Sequence, residues 1–224
     1  MKKAYFISGI DTDCGKTYIT GLLAYQLQKA GKKVITSKLI QTGCIGISDD
    51  IKEHRRIMEI DILPEDTAGL TCPYVFSFPA SPHLSAKLDG KTVDLEEINK
   101  ASNQLLENYD ILLMEGAGGL MVPLNTYYLT LDYIRDQMLP LILVCSSKLG
   151  SINQTLMSIE MCKKYSVYIH GIIYNRLPDT PPIIAKDSFQ YIQKYLNETM
   201  PEVPLIHSDV LYKDQLVCNF VDKL

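Results

Sequence analysis

The chain has 224 residues, 46% hydrophobic and 21% charged, with a formal net charge of −4. That composition is ordinary for a globular protein, and an acidic chain lacks the basic field that nucleic acids and anionic membrane surfaces attract. The length suits one α/β domain over 1–224.

After Met1-Lys2-Lys3 the apolar run Ala4–Ile10 is too short for a secretory leader and far below the ~20 apolar residues of a membrane span, so a cytoplasmic location is expected. Cys14, Cys44, Cys72, Cys145, Cys162 and Cys218 show no C-x-x-C pair and no histidine at metal-ligand spacing. They read as free thiols rather than a disulfide framework or a zinc site.

In chain order the pattern predicts a strand at Ala4–Ser8, then a helix from Gly15 to Gly31 with Ile19, Leu22, Leu23, Leu27 and Ala30 on its apolar face. A strand at Lys33–Ser37 and a helix at Ile51–Glu59 follow, the charges Lys52–Arg56 reading as a solvated helix face. Beyond them come a helix at Leu95–Glu107, strands at Ile111–Met114 and Leu139–Cys145, a helix at Ile152–Lys164, a strand at Val167–Tyr174 and a helix at Ile183–Leu196. The Pro-rich patches Phe78–Pro82 and Pro178–Pro182 read as loops. Strands this continuously apolar are covered on both faces, and their alternation with helices implies right-handed βαβ units. The expected fold is a doubly wound, mostly parallel sheet with helices on both faces.

The first strand runs through Gly9-Ile10-Asp11-Thr12-Asp13-Cys14-Gly15-Lys16-Thr17 into the first helix. A glycine-bearing strand-to-helix turn ending in Gly-Lys-Thr is suited to wrapping a phosphate with backbone N–H groups and a helix N-terminus, which makes the fold P-loop NTPase-like. Lys16 adds a full charge and the Thr17 hydroxyl a Mg²⁺ ligand, although five residues rather than four separate Gly9 from Gly15. Asp11 and Asp13 would repel phosphate, so they either face away or meet a cationic group of a second substrate.

The carboxyl ends of neighbouring strands border one crevice. Lys38 should therefore approach Lys16, and Glu115, before Gly116-Ala117-Gly118-Gly119, suits a second Mg²⁺ ligand. The turn Lys148-Leu149-Gly150-Ser151-Ile152-Asn153 offers N–H groups to a carboxylate. Asn175 can either read a base edge or form a turn. His54, His83, His170 and His207 stand in no nucleophile–base arrangement and receive no catalytic role.

Taken together, the 9–17 loop, the strand ending at Lys38 with Thr42-Gly43 after it, Pro79-Ala80-Ser81-Pro82-His83, Glu115–Gly119 and Lys148–Asn153 closely resemble the dethiobiotin synthetases, in register from about residue 4 to Asn175. The resemblance implies a homodimer that takes 7,8-diaminopelargonic acid, CO₂ and MgATP in biotin synthesis and closes a cyclic urea through a carbamic–phosphoric anhydride. It implies catalytic roles for Lys16 and Lys38, and Mg²⁺ ligation by Thr17, Glu115 and an aspartate, where both Asp49 and Asp50 are candidates and the Ser48-Asp49 pairing favours Asp49.

Carried over residue by residue, Asp13, Cys14, Gly15, Lys16 and Thr17 would cradle phosphates, with Asp49, Glu115, Gly116, Ala117 and Gly118 beside the nucleotide and Asn175 and Arg176 near its base. Thr12 and Thr42 would touch the diamine, and Leu149, Gly150, Ser151, Ile152 and Asn153 would grip its carboxylate across the dimer. His207–Tyr212 replaces the family's Gly-x-Ile-Pro segment, with a base contact assigned to 210–212. A cargo-positioning switch ATPase, the rival on a similar scaffold, carries an early lysine in this loop where Ile10, Asp11 and Thr12 stand here.

Overall fold

The computed structural model describes residues 2–177 and 179–212, without the side chains of Val210 and Tyr212. Cys218 and the side-chain base contacts expected at those two positions therefore lie outside the described residues.

In chain order the elements are β1 (Lys3–Gly9), α1 (Lys16–Lys29), β2 (Val34–Lys38), β3 (Gln41–Thr42), α2 (Asp49–Ile57), α3 (Pro64–Thr67), β4 (Val75–Phe76), α4 (Pro82–Leu88), α5 (Leu95–Asn108), β5 (Ile111–Gly119), α6 (Thr130–Asp136), β6 (Leu141–Ser146), α7 (Ser151–Lys164), β7 (Ile169–Asn175), α8 (Pro182–Thr199), β8 (Leu205–His207) and a 3-10 turn, Ser208–Tyr212.

Six strands form one sheet in the order β2-β5-β1-β6-β7-β8, every pair parallel, while β3 and β4 make a small parallel ribbon beside it. Successive strand residues point to opposite faces. All six residues of β6 and the first six of β5 are buried, so helices cover both faces, as the apolar runs predict. The core joins Phe6, Ile7, Ile35, Leu112, Leu113, Ile142, Leu143, Ile172 and Ile173 to Ile19, Leu23 and Leu27 of α1. Among the described residues no helix is long and apolar enough to cross a membrane.

The boundaries depart from the sequence pattern in one consistent way. β1, β2, β6 and β7 each run one residue past the predicted apolar run, to Gly9, Lys38, Ser146 and Asn175. β5 continues from Met114 through Glu115 to Gly119. Apart from Ala117 the extra residues are polar or glycine, and Gly9, Lys38, Glu115, Gly119, Ser146 and Asn175 still pair in the ladder. Apolarity thus ends before the sheet does, and the difference marks the crevice.

α2 begins at Asp49 because the Ser48 side chain accepts the Ile51 N–H at 3.3 Å, an N-cap. The charges Lys52–Arg56 are not one solvated face: Lys52 and Arg56 are exposed, but His54 and Arg55 are buried. Ala30, expected on the apolar face of α1, is exposed at its C-cap. Cys14, Cys44, Cys72, Cys145 and Cys162 are buried free thiols, as expected.

Candidate active site

Two glycines shape the loop between β1 and α1 for different reasons. A Cβ on Gly9 would lie 2.2 Å from Cys14 Sγ, so this glycine makes room for the buried thiol, which donates to Asp11 O at 3.2 Å. Gly15 has φ +93° and a Cβ there would lie 2.1 Å from Asn175 Nδ2. Asn175 occupies that space and donates to Cys14 O at 3.0 Å, tying the end of β7 beneath the loop. The Lys16 ammonium arcs back to donate to Asp11 O at 2.8 Å and Thr12 O at 3.0 Å. Burial pushes its pKa down, and the neighbouring Lys38 charge adds to the push.

Register builds the next layer. Lys38 and Glu115 are direct partners in the β2–β5 ladder. Their side chains meet, with Lys38 Nζ 2.8 Å from Glu115 Oε1 and 2.5 Å from Asp50 Oδ2, and Nζ also donates to Gly116 O at 3.0 Å. The Thr17 hydroxyl sits between both acids, 3.1 Å from Asp50 Oδ1 and 3.0 Å from Glu115 Oε1. Burial works to raise the Glu115 pKa, but the Lys38 ammonium and the His54 hydrogen bond outweigh it and hold the carboxyl below the usual range. Burial likewise works to lower Lys38, and Glu115 and Asp50 reverse it to a net rise.

The structure places Asp50, not Asp49, in this cluster. Asp49, the expected metal ligand, is exposed and pairs with Lys52 at 2.9 Å. The Ser48 cap sets the helical phase: Asp50 and His54 are four apart on one face of α2, and both turn toward Glu115. His54, to which the sequence pattern gave no role, is 0% exposed and lies 2.8 Å from Glu115 Oε2. Its i+4 spacing from Asp50 on a capped helix is the signal that could have found it.

The donor set suits a hard divalent cation. Two carboxylate oxygens, of Asp50 and Glu115, converge on the Thr17 hydroxyl, and oxygen donors of this kind are those a hard cation such as Mg²⁺ takes. Among the described residues no group of three or more His, Cys, Asp or Glu forms a self-contained metal cage.

On the other side of the loop, Asp11 faces Lys148 at 2.6 Å and Gln154 at 3.2 Å, and its own Oδ1 accepts the Thr12 N–H. The bond from Lys148 above all holds the Asp11 carboxyl down at about 2. The acid that looked out of place beside phosphate is therefore joined to the turn before α7. Asp13 and Thr12 are exposed. A mostly apolar cavity of about 370 Å³ opens on Ile10, Asp11 and Thr12 and runs past Met121, Val122 and Met157.

In the expected carboxylate turn, Gly150 takes φ +91° as the N-cap of α7, and Ser151 Oγ is buried without a partner among the described residues. Leu149 is 86% exposed, Asn153 is exposed and Ile152 half-buried. Thr42, half-buried in β3, leads into Gly43, which packs on Pro79.

The glycines after Glu115 serve the sheet: a Cβ on Gly116 would meet the Phe6 ring at 2.8 Å, and one on Gly119 would meet Gly9 O at 3.2 Å. Gly118 takes φ +65°, and Ala117 is half-buried beside it. Arg176, expected near the base with Asn175, follows the last residue of β7 and lines a cavity with Phe189 and His207 against α8.

A profile of the AAA domain matches residues 3–208. The ATP-dependent dethiobiotin synthetase BioD 2 of Pasteurella multocida is 47% identical over 201 residues, covering 90% of this chain and 94% of the relative. The ATP-dependent dethiobiotin synthetase BioD of Chlorobaculum tepidum is 46% identical, covering 89% and 84%. Among solved structures, a ParA family ATPase from Chlorobium tepidum superposes with a TM-score of 0.54 at 15% identity, covering 100% of this chain and 95% of that one, a likeness of fold alone. With the loop, the paired lysines and the acids in place, the chain belongs to the ATP-dependent dethiobiotin synthetase family.

Proposed function

We propose that the chain is an ATP-dependent dethiobiotin synthetase of biotin biosynthesis, which carboxylates 7,8-diaminopelargonic acid with CO₂ and closes the ureido ring, releasing ADP and phosphate. The observation that carries this reading is the convergence of Lys16, Thr17, Lys38, Asp50 and Glu115 at the strand ends of a chain with these relatives.

In this mechanism one amine of the substrate attacks CO₂ and loses a proton, giving a carbamate. A carbamate oxygen attacks the γ-phosphorus and ADP leaves. The second amine then attacks the carbonyl carbon, expelling phosphate and closing the ring. The loop amides of 13–17 and the α1 N-terminus hold the phosphates. Lys16, which among the described residues donates to two backbone carbonyls, exchanges them for phosphate oxygens, a stronger charge-assisted bond. Lys38 stabilises negative charge on the carbamate and the migrating phosphoryl group.

Thr17, Asp50 and Glu115 would hold Mg²⁺, which when bound supplies charge neutralisation on the phosphates. The cavity beside Thr12 and Asp11 suits an apolar chain bearing amines, and the α7 N-terminus with its unpartnered Ser151 hydroxyl suits a carboxylate. The exposed apolar Leu149, Met157 and Ile183 favour a homodimer over a bare surface. A single domain spans the enzyme, and a cytoplasmic location fits buried free thiols.

Phosphate release from MgATP and bicarbonate, with and without the diamine, tests this reading. Release that depends on the diamine is expected; diamine-independent hydrolysis would reassign the chain to a switch-type ATPase.

A further inference from the structure

His54 closes a buried chain of hydrogen bonds that reaches Glu115 from behind the site. Asp66 of α3 accepts from Arg55 Nε and Nη2, both at 2.8 Å, and is held by Thr71 Oγ1 at 2.7 Å and Leu63 N at 2.8 Å. Arg55 Nη1 donates to Thr36 Oγ1 at 2.8 Å, and Thr36 Oγ1 lies 3.0 Å from His54 Nδ1. A carboxylate only accepts, so Nε2 carries a proton and donates to Glu115 Oε2 at 2.8 Å. Thr36 Oγ1, which accepts from Arg55, holds the other ring nitrogen in place. Arg55, Thr36, His54, Asp66 and Glu115 are all buried, which shields these bonds from bulk solvent.

We propose that His54 is a positioning residue that locks the Glu115 carboxylate with a single oxygen, Oε1, turned toward Thr17 and the nucleotide. Oε2 is held by His54, so the carboxylate cannot swing to take Lys38 with both oxygens. The lock keeps Oε1 available as a cation ligand and keeps Lys38 shared between Glu115 and Asp50, from which a substrate can draw it away. Supporting groups of this kind orient the ligand that touches the metal. The inference deepens the proposed Mg²⁺–nucleotide reading and rests on it.

The test compares binding of a fluorescent ADP analogue in chelator and in Mg²⁺ for wild type, His54→Gln and His54→Asn, with a melting curve of each in chelator. Gln carries its amide nitrogen near the Nε2 position and retains a donor to Glu115, whereas Asn reaches only the Thr36 side. The gain in affinity that Mg²⁺ brings is expected to fall about 10-fold or more in His54→Asn and to stay within about 3-fold of wild type in His54→Gln. Affinity in chelator should be alike for all three. Equal gains in the two variants, or losses in chelator that track the melting temperatures, would overturn the positioning role while leaving the functional reading intact. A wild-type affinity indifferent to Mg²⁺ would overturn both.

Discussion

Lys38 Nζ lies 2.8 Å from Glu115 Oε1 because the two residues are direct partners in the β2–β5 ladder. The register is set by the core below them, where Val34, Ile35 and Thr36 pair with Ile111, Leu112 and Leu113. Both faces of β2 and β5 are packed, so a one-residue slip would send every side chain into the wrong packed face. The lysine and acid are therefore aligned by hydrophobic packing, and the crevice inherits its geometry from the sheet.

The phase of α2 distinguishes two adjacent acids. Asp50→Asn is expected to lower kcat at least about 10-fold and to raise the Mg²⁺ needed for half-maximal rate, because it weakens a proposed Mg²⁺ ligand beside Thr17. Asp49→Asn removes only an exposed partner of Lys52 and is expected to leave both within about twofold. Steady-state rates across a Mg²⁺ titration check the pair; equal effects would return Asp49 to the site.

Gly15 faces two separate demands. Gly15→Ala must adopt φ +93° and also displace Asn175 Nδ2, 2.1 Å from the new Cβ. Gly31→Ala meets the strained φ of +76° with nothing within 4 Å. The dihedral alone costs on the order of 1–3 kcal/mol, so urea midpoints should show Gly15→Ala the more destabilised, and only Gly15→Ala should lose nucleotide affinity. Similar losses in stability would remove the case for the Asn175 contact.

Asp66 governs acid stability through Arg55. Burial opposes ionisation of Asp66, but Arg55 and the bonds from Leu63 and Thr71 hold its carboxyl below the ordinary value. A depressed pKa contributes stability that is present above the unfolded value of about 3.9 and is lost as pH falls through the folded value. Asp66→Asn leaves Arg55 buried without its counter-ion, a loss of about 3–5 kcal/mol near pH 7. Urea unfolding should show that gap unchanged from pH 8 to about 5 and narrowing below about 4. A gap independent of pH to the acid limit would contradict the assignment.

The proposed dimer gives a fourth measurement. Leu149 is 86% exposed on the turn before α7, and Leu149→Asp puts a charge where an apolar contact is proposed. Sedimentation should show a dimer for wild type and a shift toward monomer for the variant, with diamine affinity reduced and ADP affinity retained. A monomeric wild type would remove the cross-subunit role of residues 149–153.

The sheet, the phosphate loop and the two lysines were legible because long apolar runs and a glycine-bracketed turn leave strong local signals. The acids were harder. Choosing between Asp49 and Asp50 depends on where α2 starts, and that rests on one hydrogen bond from Ser48 to the Ile51 N–H. His54 and Arg55 looked like surface charge because their burial comes from pairing with Glu115 and Asp66, which no single segment reveals. Asp11 needed Lys148, far along the chain, to explain it. β3, β4 and β8 are too short to carry a period.

The most direct test of the proposed reaction follows the carbon. The purified protein is supplied with MgATP, 7,8-diaminopelargonic acid and ¹³C-bicarbonate, and product mass is measured alongside ADP. The expected result is dethiobiotin carrying the label in its ureido carbon, formed one for one with ADP. ADP released without labelled dethiobiotin would contradict the reaction assigned to this site.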